Sequence, residues 1–106
     1  AVEESNARLL SMTEEEHGRW KALEAEILSA LAAAVRAGEA PAGPEGRRIA
    51  QLHRRWLCCT WAKYTPQAHR GVAELYTADE RFTAYYDKEV PGCAAFLRDA
   101  VRAYTE

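Results

Sequence analysis

The chain has 106 residues, 48% of them apolar, with 14 basic and 16 acidic side chains and a net charge of -2. That is one domain, large enough to bury roughly 60–70% of its unfolded surface without help from disulfides or metal. Basic runs no longer than Arg47-Arg48 and Arg54-Arg55 argue against a nucleic-acid grip by this segment, and no apolar stretch approaches the ~18 residues of a membrane span.

Residues 1–11 are weakly patterned and are expected to be less ordered than the rest. Thr13 with Glu16 reads as a capping box opening a long amphipathic helix. Glu14, Glu15 and Glu16 suit its positive end. Trp20, Leu23, Ile27, Leu31 and Val35 form its apolar stripe, with Lys21, Glu24 and Glu26 placed off it. The helix should stop near Gly38, because residues 38–46 carry two prolines and three glycines. A second helix is expected from about Glu45 to Tyr64. Ile49, Leu52, His53, Trp56 and Thr60 share one face, and Leu57, Trp61 and Tyr64 share a second, so this helix should be central. Thr65-Pro66 opens a third helix as cap and first-turn proline, with Ala68, Val72, Leu75 and Tyr76 as its apolar face. Thr77, with Glu80 three residues on, reads as the cap of a fourth helix from about Ala78 that carries Phe82, Tyr85 and Tyr86. Asp79 falls in its first turn, and Arg81 is expected to pair with a carboxylate across the corner. Pro91 precedes a fifth helix with a stripe of Cys93, Phe96, Leu97, Ala100, Val101 and Tyr104. No segment alternates with strand period, so the fold class is all-α with five helices.

The three cysteines, Cys58, Cys59 and Cys93, form no even framework, and adjacent cysteines bridge only under strain, which points to a reducing cytoplasm. No signal peptide is visible. The sequence starts at Ala1 and its single methionine is Met12, so a piece of a longer protein is expected. No nucleophile, base and orienting carboxylate stand at a recognised spacing, and no phosphate loop is present, so no catalytic residues are expected. His53 and His69 lack a third ligand at any recognisable spacing, and neither metal nor cofactor is expected.

His53-Arg54-Arg55-Trp56, the run Ala68-His69 through Gly71-Val72-Ala73-Glu74-Leu75-Tyr76, Asp79-Glu80-Arg81-Phe82, Tyr86-Asp87 and Pro91-Gly92 carry a resemblance in their order and spacing. They resemble the antibiotic-recognition (TipAS) domain at the C-terminus of MerR-type bacterial transcription regulators. The resemblance implies a globin-like helical fold without haem, and a cleft for bulky apolar antibiotics such as thiopeptides or albicidin. It also implies an upstream winged-helix DNA-binding domain, a dimerising coiled coil, and a further helix before Ala1 that helps close the cleft. Some members capture ligand through a cysteine just after the histidine matching His69. Gly71 stands there, which puts covalent capture in doubt.

Seven of the ten aromatic residues lie between Trp56 and Tyr86. Phe82 and Trp61 read as core, whereas several tyrosines and tryptophans together suit a cleft, since each keeps a polar atom that wants a partner. The second helix should form the floor of that cleft. Trp56, with His53 and Thr60 one turn to either side, makes a face that mixes aromatic, imidazole and hydroxyl groups, opposed by Tyr76 and Tyr86. The candidate ligand-binding residues are His53, Trp56, Thr60, Tyr64, His69, Gly71, Tyr76 and Tyr86. Either histidine could instead be a buried hydrogen-bonding group.

The expectation is a cytoplasmic effector-binding domain spanning residues 1–106 that takes a small hydrophobic or aromatic ligand. It should touch neither DNA nor membrane, be monomeric in isolation, and belong to a homodimeric regulator. Two other readings remain: an oxidant or metal sensor using Cys58, Cys59 or Cys93, and a protein-interaction module.

Overall fold

Local signals set most of the helix boundaries in the computed structural model, which describes residues 10–106. Helix α1 spans Glu14–Ala37. The Thr13 hydroxyl accepts from the Glu16 N–H at 3.1 Å, and the Glu16 carboxylate accepts from the Thr13 N–H at 3.1 Å, completing the capping box. Gly38, at φ 70°, ends the helix in the left-handed conformation that a glycine adopts without Cβ strain. The expectation of weak order in residues 1–11 falls mainly on residues 1–9, which lie outside the described residues; Leu10 is exposed.

Helix α2 spans Pro44–Cys58, with Pro44 in its first turn. Gly46 lies so close to the preceding loop that a Cβ there would stand 1.8 Å from the Pro41 carbonyl oxygen. Only glycine lets that loop fold back onto the helix. The helix ends six residues short of the expected Tyr64. Thr60 and Trp61 N–H groups both return to the Leu57 carbonyl, at 3.1 and 2.8 Å, which closes the last turn. Thr65 must be extended, both to precede Pro66 and to cap the next helix, so the chain turns between 59 and 64.

Helix α3 spans Pro66–Ala78, capped by Thr65, whose hydroxyl accepts from Ala68 N–H at 3.1 Å. Its buried face is His69, Ala73 and Tyr76, a rotation from the expected one: Ala68 is exposed and Leu75 is 50% exposed. Helix α4, Glu80–Asp87, is capped by Asp79 and not by Thr77. The reason is that α3 runs on through Ala78, which leaves Thr77 helical with its hydroxyl donating to the Glu74 carbonyl. Asp79 has the extended backbone of a cap and accepts from Arg81 N–H at 2.9 Å. Arg81 also pairs with Asp79 itself, at 2.9 Å, and so does not reach across the corner. The Thr83 hydroxyl donates to the Tyr76 carbonyl at 2.7 Å and ties α4 back to α3.

Helix α5 spans Cys93–Tyr104, and its start is capped from α4 by Asp87, which accepts from Ala94 N–H at 2.8 Å. It is the hub of the molecule, packing on all four other helices. The second helix has neighbours on both sides, as expected, with α1 on one and α5 on the other. Leu97 and Val101 of α5, Leu31 of α1 and Ile49 of α2 are wholly buried at the core. Among the described residues there are five helices and no strand, an all-α fold.

Candidate functional site

A cavity of about 500 Å³ lies beside the α3–α4 corner, between α1, α2, α3 and α4. Trp20, Glu24 and Ile27 of α1 form one wall, and His53 and Trp56 of α2 form the floor. Tyr76 of α3 stands opposite with Arg81, Phe82, Tyr85 and Tyr86 of α4. A volume in the roughly 300–1,000 Å³ range suits a drug-sized molecule.

The wall is a nearly unbroken run of rings. Trp20 stacks on Trp56 at 6.0 Å and 14°, and Trp56 stacks on His53 at 5.7 Å. His53 meets Tyr76 edge-on at 5.5 Å, and Tyr76 contacts Tyr86 at 4.6 Å and Phe82 at 5.7 Å. The indole Nε1 atoms of Trp20 and Trp56 are both buried and have no hydrogen-bond partner among the described residues, so they lie inside the ring stack and the ring faces, not the N–H groups, meet the cavity. A buried donor left unmade costs about 1–3 kcal/mol.

Behind the floor lies a second polar cluster. The Tyr64 hydroxyl meets His69 Nδ1 at 2.7 Å, His69 Nε2 meets His53 Nδ1 at 2.9 Å, and His53 Nε2 meets the Tyr76 hydroxyl at 3.0 Å. Both histidines are wholly buried. Burial, and then the neighbouring His69, push His53 down to about 3. Burial, and then the Arg54 guanidinium, push His69 down to about 4. Each ring is therefore neutral near pH 7 and carries one N–H. One hydrogen per bond then allows only two arrangements, with every donor pointing toward Tyr76 or every donor pointing toward Tyr64. Burial first of all raises Tyr76 to about 12, so its hydroxyl keeps its proton and ends this relay at the cavity.

Four of the eight candidate residues, His53, Trp56, Tyr76 and Tyr86, line the cavity. The other four do not. Thr60 lies beyond the end of α2, its hydroxyl donating to the Leu57 carbonyl, so it no longer shares a face with Trp56. Tyr64 sits in the connector and His69 behind His53, both in the relay. Gly71 is exposed on α3, with nothing within 4 Å of where a Cβ would point. Phe82, expected in the core, is 39% exposed on the cavity wall, and Trp61 is half-buried against Tyr64. Sequence reasoning missed Glu24 and Arg81 as wall residues and took Trp20 only as core. The signal was the Trp20, Glu24, Ile27 spacing of four and three, which places all three on one helical face.

Among the described residues no group of three or more His, Cys, Asp or Glu side chains could hold a metal ion, and no helix is long and apolar enough to cross a membrane.

Comparison with known proteins agrees with this architecture. A family model for the TipAS antibiotic-recognition domain matches residues 1–104. The chain is 34% identical over 104 residues to the HTH-type transcriptional activator TipA of Streptomyces coelicolor, covering 97% of this chain and 41% of that protein. It is 33% identical over 85 residues to the HTH-type transcriptional regulator SkgA of Caulobacter vibrioides, covering 79% of this chain and 32% of that one. The chain thus spans well under half the length of these relatives. Among solved structures, it resembles TipAS from Streptomyces lividans in complex with nosiheptide, a thiopeptide antibiotic. That match has a TM-score of 0.83 and 29% identity, over 97% of this chain and 72% of the other. In sequence and in fold, the chain belongs to the TipAS antibiotic-recognition domain family.

Proposed function

We propose that the chain is the ligand-sensing domain of a MerR-type transcription regulator, taking a hydrophobic or aromatic antibiotic-like molecule into the cavity between α1 and α4. The observation that carries this reading is the cavity of about 500 Å³ walled by the rings of Trp20, Trp56, Tyr76, Phe82, Tyr85 and Tyr86. A space of that size lined by ring faces suits a drug-sized aromatic molecule. Residues 1–106 act as one effector-binding unit, and it binds without catalysis. DNA contact and dimerisation belong to other parts of the regulator, which works in the cytoplasm, and the isolated unit is monomeric. The relatives' names support the regulatory setting, and the nosiheptide complex of the similar structure supports the ligand class.

The test is a titration of the domain with nosiheptide and with smaller aromatic compounds, followed by tryptophan fluorescence and calorimetry. Saturable quenching at one site, lost in Trp56→Ala, is the expected result. Binding of such compounds that is unaffected by Trp56→Ala and Trp20→Ala would move the site elsewhere. The cysteine-sensor reading gains nothing at Cys93, which is buried and whose thiol burial, and then Asp87, push up and away from the reactive thiolate.

A further inference from the structure

The cavity wall carries two charged side chains, Glu24 and Arg81, of opposite sign, and their situations differ. Arg81 is already neutralised: its Nε and Nη2 meet the two Asp79 carboxylate oxygens at 3.2 and 2.9 Å, and its side chain is 88% exposed. Glu24 is half-buried and forms no ion pair among the described residues; its recorded partner is the Tyr85 hydroxyl, which donates to one carboxylate oxygen. The second oxygen has no hydrogen-bond partner among the described residues. The carboxylate's field extends along the wall. Tyr85 is held above its usual range first by burial and then by Glu24. Tyr86 is raised by burial, then by Tyr76, and in smaller part by Glu24. The rings add to it, since the face of an aromatic ring attracts a cation. Lys88 shows this on the Tyr85 ring, where its Nζ lies 4.6 Å from the centroid. Lys88 is exposed and is not a wall residue.

We propose that Glu24 makes the cavity selective for cationic aromatic ligands, with the positive end of the ligand at the free carboxylate oxygen and its rings against the ring faces of the wall. This rests on the cavity being the ligand site. A carboxylate in a partly desolvated, ring-lined space whose one arginine is already paired with Asp79 gains most from an occupant that brings a cation. An uncharged ligand of the same shape fills the same volume but leaves the carboxylate unpaired.

The experiment compares 5-methylphenanthridinium with phenanthridine, which share a ring system and differ by one methyl and one charge at pH 7.5. Dissociation constants are read from tryptophan quenching. The native chain should bind the cation about ten-fold or more tightly than the neutral ring. Glu24→Gln keeps an acceptor for Tyr85 and removes the charge, and it should bring that ratio close to one. Its melting profile, compared with the parent's, confirms the fold. Equal affinities in the native chain, or a ratio unchanged by Glu24→Gln, would overturn the charge preference and leave the cavity reading standing. Failure of both compounds to quench the tryptophans would overturn both.

Discussion

Two buried polar clusters meet at His53, and they have opposite accounts. On one side, the relay of Tyr64, His69, His53 and Tyr76 gives every ring nitrogen of both histidines a partner within 3.0 Å. On the other, Trp20 and Trp56 keep two buried N–H groups with none among the described residues. Satisfied polarity ties α2 to α3 and needs nothing further. Unsatisfied polarity sealed behind the cavity wall costs stability, while the ring faces beside it stay open to an occupant. Burial of a polar group therefore says little by itself, and the state of its partners decides whether it adds to stability or subtracts from it.

The contrast is broken most severely in acid. His53 and His69 stay neutral in the fold, at about 3 and about 4, whereas in the unfolded chain they titrate near their ordinary 6.5. Above pH 6.5 both states carry neutral rings and the histidines add no pH dependence. As pH falls from 6.5 toward 4 the unfolded chain takes up protons and the folded chain does not, so stability falls through that window. Chemical denaturation from pH 7.5 to 4.5 should show this loss, steepening to at most two protons. A flat profile would mean that the rings are charged or solvated.

Next in size, His69→Ala removes both of its hydrogen bonds, strands the partner atoms on His53 and Tyr64 and opens a void. It should cost about 2–4 kcal/mol in thermal or denaturant unfolding, and it should flatten the acid profile. Trp56→Ala sharpens the other half of the comparison. Loss of this aromatic anchor should weaken a bound ligand by about 1–3 kcal/mol, read by calorimetry. The smallest effect is expected from Trp56→Phe. It deletes an unpaired buried donor while keeping a ring, so stability should stay within about 1 kcal/mol of the parent, in either direction. A large loss there would show that the indole N–H has a partner after all.

Much of the fold is written in local sequence. Thr13 with Glu16, Gly38, Thr65-Pro66 and the α5 stripe mark their elements because each acts on its immediate neighbours. Thr77 misleads for the same reason. Its spacing to Glu80 matches a capping box, yet Asp79 is as good a cap, and how far α3 runs decides between them. The relay is not legible, since His53 and His69 meet across 16 residues and a connector without periodicity. Four of the ten cavity-lining residues were readable as site residues from ring-rich faces, at His53, Trp56, Tyr76 and Tyr86. Thr60 dropped out when α2 ended early, and Glu24 was hidden because a carboxylate beside an apolar stripe reads as solvated until a fourth helix is seen to stand off from it.

The central claim is that the ring-lined cavity holding Trp20 and Trp56 is the ligand site, and the indole N–H resonances in a proton–nitrogen correlation spectrum test it most directly. Trp→Phe variants assign the three signals. On addition of nosiheptide or a smaller aromatic ligand, the Trp20 and Trp56 resonances should shift as the ligand's rings settle on the indole faces, while that of Trp61, outside the cavity, stays in place. A bound ligand that leaves Trp20 and Trp56 unmoved, or shifts Trp61 alone, would contradict the account.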